Sequence, residues 1–177
     1  MTVLPTIQTK GTDMDILIEY AYREEDVKAL PIEELARFVV GAEGKPENSE
    51  VSITFVDDEE MSELNAHYRG KVGPTDVLSF ECDNIDDGFA APPGFEEDIY
   101  ELGDIVIAVD VAERQTREFA TSLEGEICLL VTHGLLHLCG YDHVEDDEAE
   151  VMETRERELL SAWADAGHEA TRGIREP

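Results

Sequence analysis

The stretch His133-Gly134-Leu135-Leu136-His137-Leu138-Cys139-Gly140-Tyr141-Asp142-His143 holds three of the five histidines of a 177-residue chain. His133 and His137 are four apart. On a helix that spacing sets both imidazoles on one face, about 6 Å apart along the axis at roughly 1.5 Å per residue. Two such rings can converge on one metal ion. Gly140 follows three residues on, and glycine is the usual residue where a helix ends in a left-handed turn. That turn brings His143 back toward the first two rings. Three neutral imidazoles leave one corner of a tetrahedral zinc ion open, which separates a catalytic site from a closed structural one. Water at such a corner has its pKa lowered to about 7.

The H-x3-H-x5-H spacing is also that of the metzincin peptidases. Those enzymes carry Glu directly after the first His as general base, and here that position is Gly134. The metal cradle is retained and the peptidase base is missing. The helix is expected over Leu123 to Leu138. Ile127, Val131, Gly134 and Leu138 form one stripe, and Glu126, Leu130, His133 and His137 a neighbouring one. It is apolar nearly all round and should be buried except at its histidine end. Glu126 lies two turns from His133, about 10 Å along the axis, too far to be a ligand. Cys139 points about 200° away from His137 on the helical wheel and is a weak candidate for a fourth ligand.

Outward from this helix the chain shows further strand and helix patterns. Strands are expected at Asp15 to Tyr20, Val51 to Val56, Asp76 to Phe80 and Asp104 to Val109. The last is a nearly continuous apolar run, as in a buried strand. A helix over Pro31 to Val40 has proline and Glu33-Glu34 in its first turn and Leu35, Phe38 and Val39 inward. Asp57 or Asp58 caps another through Tyr68, with Met61 and Leu64 inward. A third covers Asp110 to Phe119. A final helix opens on the acidic run at Glu145 and reaches Trp163, with Val151, Leu159 and Leu160 available for packing. Residues 83–98 read as an acidic, turn-rich loop. No repeat or linker divides the chain, so residues 13–165 are expected to form one domain, with loose ends at 1–12 and 166–177 and His168 a surface residue.

Acidic residues number 43 and basic ones 13, a formal charge of −30. That is the wrong sign for attraction to phosphates. It is compatible with a soluble surface, with a salty cytoplasm, or with docking onto basic partners such as ribosomal proteins. Apolar residues make up 42 %, a globular proportion. No apolar run approaches the ~20 residues of a membrane span, and no secretory signal is evident. Cys82, Cys128 and Cys139, odd in number and unpaired in spacing, point to a reducing, cytoplasmic compartment.

A second segment carries chemistry: Asn65-Ala-His-Tyr-Arg-Gly-Lys-Val-Gly-Pro-Thr-Asp-Val-Leu-Ser-Phe80. Arg69 and Lys71 stand out in so acidic a chain, at a helix-to-strand junction where loops present functional groups. A guanidinium can clamp a phosphate with two parallel hydrogen bonds; the alternative is a structural pair with a carboxylate. Tyr68-Arg69-Gly70-Lys71 with Pro74-Thr75-Asp76-Val77-Leu78-Ser79-Phe80, Leu102-Gly103-Asp104-Ile105, and His133 to His143 with the acidic run after it together resemble the YbeY family of bacterial rRNA maturation factors. The likeness runs in order from about residue 50 to 160. It departs at Val72-Gly73, where the family usually has an acidic and a basic residue, and at Glu81, where proline is common.

The resemblance implies one α/β domain with a small, mixed, roughly four-stranded sheet packed by about five helices. It implies a zinc-dependent, single-strand-specific endoribonuclease, active in 16S rRNA 3′-end processing and ribosome quality control. The family's metal ligands fall on His133, His137 and His143, with one Zn2+ per chain, and its functional arginine on Arg69. The partners implied are single-stranded precursor rRNA and the small ribosomal subunit with its basic proteins. Rival readings are a non-catalytic assembly factor with a structural metal, and a zinc peptidase. Asp142 is open to moving a proton, or to fixing a histidine tautomer or capping the turn.

Overall fold

The computed structural model describes residues 14–82 and 99–168. The acidic loop at 83–98, the segment 1–12 and the tail from residue 169 lie outside them. Among the described residues, four strands form one sheet: β1 (Asp15–Tyr20), β2 (Ser49–Val56), β3 (Val77–Glu81) and β4 (Tyr100–Ala108). The order is β1-β2-β4-β3. β1, β2 and β4 are parallel, and β3 runs antiparallel along the outer side of β4. The helices are α1 (Glu24–Val27), α2 (Ile32–Ala42), α3 (Asp58–Arg69), α4 (Val109–Phe119), α5 (Leu123–Leu138) and α6 (Asp146–Asp165). This is the mixed, four-stranded α/β architecture expected from the sequence, with one helix more than expected. α1 is a single turn that buries only Val27. Arg23 fixes it through Asp26, Asp110 and Glu113 at 2.7–2.9 Å.

Strand alternation sends side chains to two faces of the sheet. Val51, Ile53, Phe55, Ile105 and Ile107 join the larger core with α2, α5 and α6. Val56, Leu78 and Ala108 join a smaller one under Met61 of α3. The larger core is centred on α5. Between Gly125 and Leu138 every residue is buried except His133 and His137. The apolar run thus anchors the helix on all sides and leaves the two imidazoles facing out. Ser122 caps it, accepting from the Gly125 N–H at 3.0 Å.

Three expectations are corrected by the coordinates. β4 begins at Tyr100, not Asp104: Gly103 interrupts the apolar run but sits at an irregularity where the β2 register shifts. Val151 is 60 % exposed, and the buried face of α6 is Met152, Leu159, Leu160 and Trp163. Leu159 and Leu160 pack as expected, and Met152 takes the place expected of Val151. His168 stacks on Trp163 with ring centroids 3.5 Å apart, so it is not a plain surface residue.

Candidate metal centre and its cleft

α5 ends where expected. Gly140 has φ +102°, the Gly140 N–H donates to His137 O and the Tyr141 N–H to Leu136 O, both at 3.0 Å. These two bonds form the glycine stop that reverses the chain. The reversal delivers His143. One ring nitrogen from each of His133, His137 and His143 lies within 4.8 Å of the others, and no Cys, Asp or Glu joins this group among the described residues. Ring centroids are 4.7 Å apart for His133–His137, 5.6 Å for His133–His143 and 4.8 Å for His137–His143.

The outer nitrogens decide what the inner ones can do. His137 Nδ1 lies 3.0 Å from the Tyr141 carbonyl, which only accepts, so Nδ1 carries the proton. His133 Nδ1 lies 3.0 Å from Glu156 Oε2 and donates likewise. Both Nε2 atoms, 3.2 Å apart, are then lone-pair donors facing each other with no proton between them in the neutral rings. Burial, reinforced by the His133 and His143 rings, holds the His137 pKa below its ordinary value and keeps that ring neutral. Two opposed lone pairs with a third imidazole beside them fit a bound cation, and three imidazoles suit zinc among other metals. The three histidines can bind a metal.

Outside the trio lies a shell that the sequence did not reveal. Glu43, 9 % exposed at its side chain, accepts from Arg155 Nε at 2.6 Å and from the Tyr141 hydroxyl at 3.0 Å. It thereby pins the turn whose carbonyl orients His137. Arg155 and Glu156 are neighbours on α6, so one helix steadies both helix-borne histidines. No spacing signal links Glu156 or Glu43 to the motif; each arrives through tertiary packing. Asp142 Oδ1 accepts from the His143 N–H at 2.7 Å, the turn-capping role. Burial pushes the Cys139 thiol up to about 11, which disfavours the thiolate a metal needs.

Gly134 has a packing reason to be small. A Cβ there would meet Ile105 Cγ2 at 3.0 Å and Ser79 Oγ at 3.2 Å. A side chain there would leave its Cα toward the sheet, so Ile105 and Ser79 would have to shift to admit one.

The trio opens into a cleft of about 580 Å³ walled by β3, the histidine turn and the end of α3. Arg69 is the last residue of α3, where the helix dipole favours a cation. It lines the cleft with the three histidines, is exposed, and has no carboxylate partner among the described residues. The loop behind it is held by buried Asn65, whose Nδ2 donates to Gly73 O at 2.8 Å. Asp76, ahead of β3, accepts from Gln115 Nε2 at 3.0 Å and ties the cleft to α4.

The family model for Endoribonuclease YbeY matches residues 18–164. The chain belongs to the YbeY family. The Endoribonuclease YbeY of Thermoanaerobacter sp. strain X514 is 40 % identical over 155 residues, 84 % of this chain and 96 % of that one. The Bacillus licheniformis YbeY protein is 39 % identical over 150 residues, 85 % and 94 % of the two chains. The solution structure of TM1509 from Thermotoga maritima is 28 % identical, covers 87 % of this chain and 93 % of its own, and superposes with a TM-score of 0.51. The YbeY match spans both segments that carry chemistry, the Arg69 loop and the histidine turn. No single described helix is long and apolar enough to cross a membrane.

Proposed function

We propose that this YbeY-family chain is a cytoplasmic, zinc-dependent endoribonuclease for single-stranded RNA. Its substrate is precursor 16S rRNA at the 3′ end, on or near the small ribosomal subunit, in maturation and quality control. The observation that carries the reading is the convergence of His133, His137 and His143, with their lone pairs inward, on a cleft that also holds Arg69. The working domain is residues 13–165; support comes from the single sheet and the core continuous across α2, α5 and α6.

His133, His137 and His143 would hold one zinc ion per chain. Bound there, zinc supplies Lewis-acid polarisation of a phosphoryl oxygen and a water acidified toward neutrality. Arg69 binds the phosphate and offsets charge developing on its oxygens. Glu156 and the Tyr141 carbonyl fix the tautomers of His133 and His137, so neither ring has to reorganise. A metal held at the foot of this cleft favours a single strand over a duplex, which is wider and stiffer. The free thiols of Cys82, Cys128 and Cys139 suit a reducing compartment, in keeping with a cytoplasmic place. Docking on the ribosome and its basic proteins would supply the local concentration that a −30 chain cannot gain from free RNA.

The test compares metal-loaded, stripped and His137→Ala protein on a single-stranded precursor RNA. Cleavage by the loaded protein alone is expected. Equal activity in all three would remove the metal from the chemistry and leave the assembly-factor reading.

A further inference from the structure

Tyr68 precedes Arg69 at the end of α3 and lines the same cleft as the histidines. The residue is 59 % exposed. It is nonetheless braced. The Phe80 ring of β3 meets it at 4.8 Å and 64°, and His67 meets it at 4.6 Å and 88°. Phe80 itself packs on the smaller core. The ring is therefore anchored on the protein side and open on the cleft side, within one residue of the arginine aimed at phosphate.

We propose that Tyr68, backed by Phe80, is a stacking platform for an unpaired nucleobase beside the phosphate that Arg69 contacts. The proposal rests on the nuclease reading and names how that site selects its substrate. Stacking needs no charge complementarity, so it gives a strongly acidic chain a hold on RNA that Coulomb attraction does not. In a duplex both faces of a base are covered by its neighbours, so only a strand with a splayed base can use the ring. The platform thus makes single-strand preference a matter of binding as well as of cleft width.

The test is steady-state cleavage of a single-stranded RNA oligonucleotide by metal-loaded unaltered protein and by Tyr68→Phe, Tyr68→Leu and Tyr68→Ala, with thermal melts confirming the fold. Losing the ring is expected to raise KM ~10-fold in the Leu and Ala variants, with the loss falling on KM more than kcat, while Phe stays within ~2-fold. An abasic residue is then stepped along the oligonucleotide. At one position it should raise the KM of the unaltered protein by a similar ~10-fold and add nothing for Tyr68→Leu. If Leu and Phe variants match the unaltered protein in KM, or no abasic position couples to Tyr68, the platform is wrong while the nuclease reading stands. If the unaltered protein cleaves no RNA, the nuclease reading itself is overturned, and the platform with it.

Discussion

Glu156 is a small part of the chain with a large say in its chemistry. Its carboxylate at 3.0 Å fixes the His133 tautomer, and partners of this kind typically contribute 10–100-fold in metal affinity. Glu156→Ala should weaken zinc binding by about 30-fold in a chelator competition, and Glu156→Gln, which keeps an acceptor, by less. Arg69 gives the opposite signature. It is exposed and unpaired among the described residues, so Arg69→Ala should leave the thermal midpoint unchanged yet lower kcat on single-stranded RNA about 100-fold, as loss of a transition-state donor does. The difference in legibility has the same origin. The convergence of His133, His137 and His143 is legible in the sequence because helix periodicity and the glycine stop place them, and Arg69 stands out there as a rare cation at a helix-to-strand junction. Glu156 and Glu43 are not legible there, because only the docking of α6 and α2 against α5 brings them in.

At the scale of elements, Gly103 is the point on which the sheet depends. Its φ is +140°, and a Cβ there would lie 2.1 Å from the Phe80 carbonyl and 2.9 Å from Leu138 Cδ2. The first contact is with backbone and cannot swing aside. Gly103→Ala should therefore cost about 3 kcal/mol or more in urea unfolding, through strain and displacement of β3. Loosening β3 moves one wall of the cleft, so activity should fall with stability. The same residue explains why β4 was read short: a glycine ends an apolar run in the sequence, whereas in the sheet it makes room for a bulge. In α6 only the first inward position differs from the expectation, for a different reason. Its acidic flank leaves few apolar residues, and Val151 and Met152 are adjacent; only the α2 and α5 surfaces select Met152. The strands β1 and β2, and the helices α2, α3 and α5, carry enough periodicity to be read without such help.

For the molecule as a whole, charge is the dominant global quantity. A net −30 on one small domain is self-repulsive. Raising salt from ~0.01 M to ~0.1 M shortens the screening length from about 30 Å to about 10 Å. The thermal midpoint of the metal-free protein should rise accordingly, by about 3 °C for each kcal/mol of repulsion removed. A midpoint that falls with salt would show that ion pairs such as Arg114–Asp58 outweigh the repulsion. Neither sign was legible from composition alone, which counts charges without saying how many are neutralised by neighbours. The order of the chain carries a last implication. All three imidazoles are translated before α6, whose Glu156 and Arg155 steady two of them. A nascent polypeptide therefore displays its ligands before the helix that steadies them, and its full affinity for an ion is expected only once that helix has docked.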